Sequence, residues 1–454
     1  MVVPSKMKTL SNSSVDVLNA IRNSATVDYK NHVPIATAGA DSIREIGAII
    51  MDYPALQNEF LSALINRIGK VVLTSKMFQN PWAVFKKGVL EYGESIEEIF
   101  REIADPEQYS PEDAENTVFA RVIPNVKSAF HVLNYQELYP ATIQDKDLRK
   151  AFLSWEGITD LISAIVDGLY SAANADEFLV MKYLLAKRLL AGGLTPVAIG
   201  ASYTSADAVK KFKGTSNKME FLNTNFNTAG VHNFTKKEDQ YLIVSADFDA
   251  DMDVDVLAAA FNMDKAEFMG HKILVDSFGA IDNDRLKKLF GDNFEVLTDA
   301  EKAALDAVPA VLVDRDWFMI YDNLYNFTEQ YNAKGMYWNY FYHAWKTFSV
   351  SPFAQAAVFL EALPTVTAIE VSPATVSVSA GQAVQFTAAV SGTAFAEKAV
   401  TWSISGNSST GTTISDTGLL TLASDEEGTS DTITVTATSV SNSAITDTAT
   451  VTVV

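Results

Sequence analysis

The stretch Trp155–Leu190, WEGITDLISAIVDGLYSAANADEFLVMKYLLAKRLL, constrains this chain more than any other. Apolar residues at Ile158, Leu161, Ile162, Ile165, Val166, Leu169 and Tyr170 keep the i, i+3, i+4, i+7 spacing of one helical face. After Asn174 the stripe resumes in a shifted phase at Phe178, Met181, Leu184, Leu185 and Leu189. No proline interrupts it, and Gly192-Gly193 supplies the stop. At 1.5 Å per residue such a helix runs roughly 50 Å. A helix of that length needs a sheet or another subunit to lie against.

The 454 residues leave room for about two to four domains. At 48% hydrophobic and 11% aromatic, the chain can bury real cores. Its 35 basic side chains stand against 56 acids, a net charge of −21. That balance argues against nucleic acid as the primary ligand, because such binding needs clustered Lys/Arg. Lys210, Lys211 and Lys213 are the nearest approach to a basic patch. Without cysteine there are no disulfides, thiolate nucleophiles or Cys-based zinc sites, and five scattered histidines leave little for a metal. MVVPSKMKTLSNSS lacks the apolar segment of a cleavable signal, and no run suggests a membrane span. The expectation is a soluble protein with no membrane partner.

Residues 1–69 read as an arm followed by short helices. Val15–Asn23 places Val15, Leu18 and Ile21 on one face with Ser14 as cap, and Ala55–Gly69 carries Leu56, Phe60, Leu64 and Ile68 with Gly69 as stop. From 70 to 150 the pattern loosens. Lys70–Phe78 is strand-like, and two capped helices are expected at Ser95 and at Ser110-Pro111. Val118–Val126 and Lys127–Leu133 are strand-like around Pro124. With no long apolar stripe of its own, this region reads as a projecting arm that finds apolar partners elsewhere, with α+β packing within the monomer as the competing reading.

Beyond the long helix, Thr204–Lys218 and the Asn-rich Asn223–Asn233 read as loops. Tyr241–Asp247 is a strand, Val254–Met263 a helix capped by Asp253 or Asp255, with one more turn opened by Asp264 and Glu267, and Lys272–Phe278 a strand. Residues 282–307 are helical, with Thr298 and Glu301 as a capping box. Ala310–Asp314, Trp317–Leu324 and the aromatic block Tyr337–Leu360 return as strands. After Pro364 the composition shifts. Thr365–Val454 holds 8 acids and one lysine, and seven short alternating runs recur between turn residues, the signal of a β-sandwich. Trp402 is its expected core plug.

No local motif carries chemistry. Asp247, Asp249, Asp251, Asp253 and Asp255 alternate, yet every calcium-loop frame fails at its sixth and twelfth positions, so helix capping beside a solvated edge explains them better. Tyr337, Trp338, Tyr340, Phe341, Tyr342 and Trp345 could stack sugars or bases, but a buried sheet or subunit contact is the better reading. His343 has no nearby nucleophile or second histidine in a recognisable motif. Walker, G-x-S-x-G, H-E-x-x-H and G-x-G-x-x-G patterns are missing. The residues assign no catalytic, cofactor-binding or metal position, and the chain does not read as an enzyme.

Several strings, taken in order, resemble one family. They are LNAIRNS (18–24), RIGKVV (67–72), FKKG (85–88), SIEEI (95–99), PNVK (124–127), TIQD (142–145), VDVLAAAFNM (254–263), AVLVDRDWFMIYDNL (310–324) and YWNYFYHAW (337–345). Together they are similar to the major capsid proteins of small short-tailed phages of Gram-positive bacteria, the Picovirinae group. IEVSPATVSVSAGQAVQFTA, VTWSIS and ISDTGLLTL resemble a bacterial Ig-like module of the second group.

The resemblance implies an α+β chain with the coat fold of tailed phages and herpesviruses at 1–363. It would comprise an N-terminal arm (1–69), an extended loop region (70–150), a spine helix (155–191), an axial domain (195–310) and peripheral strands (310–363), followed by an Ig-like sandwich (365–454). Gly279–Pro309 departs from the family pattern in being longer and more helical. The implied function is self-assembly into hexamers and pentamers of an icosahedral head around double-stranded DNA, which is touched only weakly and non-specifically. A scaffolding protein and a portal are the implied partners during assembly in the host cytoplasm. The alternative reading is a bacterial surface adhesin or glycan-binding protein carrying an Ig-like module.

Overall fold

The computed structural model describes residues 14–37, 40–71, 78–90, 95–106, 110–111, 119, 121–144, 152, 157–251, 271–426 and 432–454. The chain divides into two units, one built from 1–96, 131–180 and 320–348, the other from 97–130, 181–319 and 349–454.

In the first unit, helices Ser14–Ser24, Val27–His32, Ala40–Asp52 and Pro54–Val71 precede a four-stranded sheet. Its order is Lys86–Val89, Phe318–Asn332, Tyr337–Val350, Tyr135–Gln144. The last two strands run antiparallel from Tyr337 opposite Gln144 to Lys346 opposite Tyr135. Period-two alternation sends Trp338, Tyr340, Tyr342 and Ala344 to one face. There they meet Leu18, Ile21, Tyr29, Ile43, Ile50 and Phe60 of the helices and Leu169 and Ala173 of the long helix. Burying one such aromatic side chain is worth about 1.5–3 kcal/mol, so this face dominates the unit's cohesion.

The long helix runs Gly157–Leu190, 34 residues or about 51 Å. Its buried positions continue through Ala173, Asp176, Glu177, Val180, Met181 and Leu185 at helical spacing. The apparent phase shift after Asn174 arises because two acids occupy core positions of an unbroken stripe.

In the second unit a mixed five-stranded sheet takes the order Thr195–Ala198, Ala356–Leu360, Ala310–Asp314, Gln240–Ser245, Lys272–Val275. The three central strands are buried at every residue. That explains their unalternating apolar sequences. Helix Ser205–Met219 covers one side with Ala208, Val209, Phe212 and Met219. The C-terminal strands, from Val366–Ser372 to Thr446–Val453, surround their own core of Phe386, Leu420, Leu422, Ile433, Val435, Ala449 and Val451.

Several expectations are corrected. Ser95 opens a strand, Ser95–Arg101, because Ile96, Glu98 and Phe100 alternate and pair the segment with Val126–Val132. Lys70 and Val71 end a helix that passes through Gly69, where cap chemistry alone predicted a stop. Thr204–Lys218 is helical rather than a loop: Thr204 accepts from the Asp207 N–H while Asp207 accepts from the Thr204 N–H, a reciprocal cap masked by a Ser/Thr/Lys-rich composition. Residues 121–125 around Pro124 lie outside any strand, and Ala246–Asp251 is a short helix. The run Val384–Gly392 is two strands broken at Phe386, which is fully buried and fills the core position expected of the half-buried Trp402. Val254–Met263, Asp264, Glu267 and most of the segment after Ser110-Pro111 lie outside the described residues.

Candidate assembly surface

Two constructions stand out, one closed and one open. The closed one lies in the first unit. Glu177, on the long helix, is 1% exposed, and its carboxylate meets the ammonium groups of Lys346 and, at 3.0 Å, Lys86. Lys86 also reaches Asp322 at 2.8 Å, and Lys346 lies 3.4 Å from the same carboxylate. Asn80 donates to the other Glu177 oxygen at 2.6 Å. Two lysines and two acids balance, the condition for holding charge away from water. Burial and then repulsion by Lys86 lower the Lys346 pKa. The residue preceding Glu177, Asp176, accepts from Tyr139, whose hydroxyl lies 2.7 Å from that of Tyr135. Burial, then Tyr135 and Asp176, raise the Tyr139 pKa far above the phenol range, so it stays a donor. This network ties the long helix to the three strands that supply Lys86, Asp322 and Lys346.

The open construction is the ribbon formed by Ser95–Arg101 and Val126–Val132. Its inward side is polar. Glu98 accepts from Ser351 at 2.7 Å, Glu102 from the backbone N–H of His232 at 3.0 Å and its ring nitrogen at 2.6 Å, and Lys127 donates to the Ala229 carbonyl at 2.7 Å. Phe100 stacks on Phe353 with ring centres 5.3 Å apart. The His232 contacts hold the Glu102 carboxyl below its usual range, the backbone N–H foremost. On the outward side Ile99, Val126 and Phe130 are exposed among Ser95, Glu97, Arg101 and Ser128, and Val122 and Ile123 ahead of the second strand and Phe119 in the connecting segment are exposed as well, Ile123 at 84%. Several large apolar side chains thus face water on this strand pair. Exposed apolar side chains gathered in one short stretch of chain are a feature of interaction sites.

The residues weighed for chemistry fall elsewhere. Asp247, Asp249 and Asp251 sit on the short helix Ala246–Asp251, where Asp249 pairs with Lys272 at 2.6 Å, while Asp253 and Asp255 lie outside the described residues. Trp338, Tyr340 and Tyr342 are interior, and Tyr337, Phe341 and Trp345 half-buried on the opposite face, so the aromatic block presents no open stacking platform. His343 lies 3.2 Å from the Thr328 hydroxyl. Lys210 pairs with Asp207, and Lys210, Lys211 and Lys213 line the solvent side of Ser205–Met219. Among the described residues no helix is long and apolar enough to cross a membrane. Sequence reasoning read 70–150 as an arm with apolar partners elsewhere without identifying the strand pair, and it did not single out the buried charge network. The interrupted stripe at Asn174–Glu177 and the misfit of apolar residues around Pro124 were the available signals.

The chain resembles known phage proteins over most of its length. The sequence profile of the Phi29-like phage major capsid proteins matches residues 18–360. The major capsid protein of Bacillus phage B103 is 40% identical over 421 residues, 91% of this chain and 88% of that protein, and the one from Bacillus phage PZA matches to the same extent. A match of that length continues past residue 360 into the C-terminal module. Among solved structures, a chain of the capsid of Staphylococcus phage Andhra aligns with a TM-score of 0.51 at 14% identity, covering 64% of this chain and 86% of its own length. At that identity the likeness concerns the fold.

Proposed function

The chain belongs to the Phi29-like phage major capsid protein family, and from that premise we propose that it closes into an icosahedral shell by seating its ribbon on a neighbouring copy. Copies join in rings of six and five through heterologous contacts that close on rotation. The observation that carries this reading is the ribbon, anchored to its own chain by Glu98, Glu102 and Lys127 while Phe119, Val122, Ile123, Val126 and Phe130 meet water.

Within that shell Gly157–Leu190 serves as the spine, 195–310 as the axial domain and 310–363 as peripheral strands, with residues 70–150 as the extended loop region. Many interfaces of modest size, summed over the lattice, give the shell its cohesion. A net charge of −21 per copy suits a container that packs and releases double-stranded DNA without gripping it. The module at 365–454 is Ig-like, of the second bacterial group. Its alternating strands, lone core and Thr/Ser-rich outer positions suit display on the outside, where it stabilises the shell or meets the host surface. A scaffolding protein and a portal complete the assembly pathway.

The test is assembly of the intact chain followed by sedimentation and electron microscopy. The unaltered protein is expected to form capsomers or shells, and Ile123→Glu combined with Phe130→Glu to remain unassembled with an unchanged melting temperature. Shells formed equally well by that variant would overturn the reading.

A further inference from the structure

Gly192 carries two constraints at once. It ends the long helix: Gly193 N–H donates to Arg188 O at 2.8 Å, Gly192 N–H to Leu189 O at 2.9 Å, and Gly192 has φ +70°. These are the bonds of a Schellman stop, and φ alone would explain the glycine. A Cβ at Gly192, however, would also lie 2.5 Å from Glu397 Cα and 2.7 Å from its nitrogen. By contrast Gly291, which caps helix Asn283–Phe290 at φ +58°, has nothing within 4 Å of such a carbon. At Gly192 the backbone of the helix end touches the backbone of the C-terminal module, within the second unit.

The touching segment has the marks of a buried contact. Phe395 and Ala396 are 8% and 4% exposed, yet neither belongs to the module's own core. Phe395 is held at φ +67°, a conformation that is strained for a bulky residue and persists only where surroundings impose it. The Thr298 cap holds the Glu301 carboxyl below its usual range, with smaller help from Lys187 and then from the exposed Lys398. The connection from Leu360 to Val366 is short, and its first residue is pinned by Gly200 N–H to Glu361 O at 3.0 Å.

We propose that residues 393–398 form a seat that fixes the C-terminal module against the end of the long helix. The module is a brace on its own chain rather than a domain swinging on a tether. Its outer strands stay free for whatever they contact, while its orientation is set by this seat. The inference depends neither on shell formation nor on the Ig-like reading, so its failure leaves both standing.

The intact chain is digested with a glutamate-specific endoprotease, and release of the 362–454 fragment is timed by mass spectrometry. Cleavage follows the population of the opened state. Gly192→Val is expected to accelerate the cut after the exposed Glu361 at least about tenfold, the factor equivalent to ~1.4 kcal/mol. Lys398→Glu, a surface change that repels Glu301, should accelerate it about threefold. Gly291→Val imposes backbone strain at a helix end with open space around it and should leave the cut unchanged. Unchanged cleavage in Gly192→Val, or equal acceleration in Gly291→Val, overturns the seat. If Gly192→Val does not fold, Lys398→Glu decides: a rate equal to that of the unaltered chain overturns the proposal.

Discussion

Tyr337–Val350 and Val126–Val132 are both period-two strands carrying bulky apolar side chains, and they use them in opposite ways. The first hides Trp338, Tyr340 and Tyr342 and brings Lys346 inside only where Glu177 and Asp322 meet it. The second turns Lys127 and His131 inward and leaves Val126 and Phe130 in water. Alternation fixes which residues share a face but not which face is wet. In the aromatic strand the bulky rings take the buried face; in the ribbon strand the valine and phenylalanine take the wet one.

The contrast can be broken most forcefully at the buried charge. Glu177→Leu leaves two interior lysines facing one carboxylate, and unpairing a buried ion costs about 3–5 kcal/mol. Denaturant unfolding should show that loss in the intact chain, and a loss under 1 kcal/mol would mean the network is open to water. Next comes the matched pair Trp338→Ala and Phe130→Ala. The interior tryptophan should cost about 3–5 kcal/mol. The ribbon phenylalanine should stay within about 0.5 kcal/mol while lowering assembly yield. Comparable stability losses would place Phe130 in an internal core.

Smaller still is Lys127→Met, which removes a charged donor from the Ala229 carbonyl. The expected change is about 1–2 kcal/mol, confined to the ribbon and read as faster amide exchange at 126–132 with the aromatic strand unaffected. The smallest effect is on pH. Glu102 has a folded pKa below its unfolded value, so its stabilisation is complete above the ordinary carboxylate value of about 4.3 and is lost as pH falls through the depressed one. Acidification through that window should loosen the ribbon first, and Glu102→Gln should remove the dependence.

Much of the scaffold was legible. The long helix, the buried strands Gln240–Ser245 and Ala310–Asp314, the Thr298–Glu301 cap and the aromatic strand all rest on periodicity or on contacts within a few residues. The misreadings share one cause. Ser95 offered a good cap but became a strand because a pairing partner lay some thirty residues on; Thr204–Lys218 looked like a loop until a sheet covered Phe212; Trp402 yielded the core to Phe386 because two strands diverge there. In each case a distant partner outweighed local preference.

By itself, then, the amino-acid order set the period of each element, the acidic balance and the composition break after Pro364, because these are properties of neighbouring residues. Only the tertiary structure decided that Asp176 and Glu177 fill core positions of the helix, that the ribbon leaves Ile99, Val126 and Phe130 in water, and that Gly192 meets Glu397. Those outcomes depend on charges, faces and backbones hundreds of residues apart, and a sequence pattern holds no record of which of them will touch.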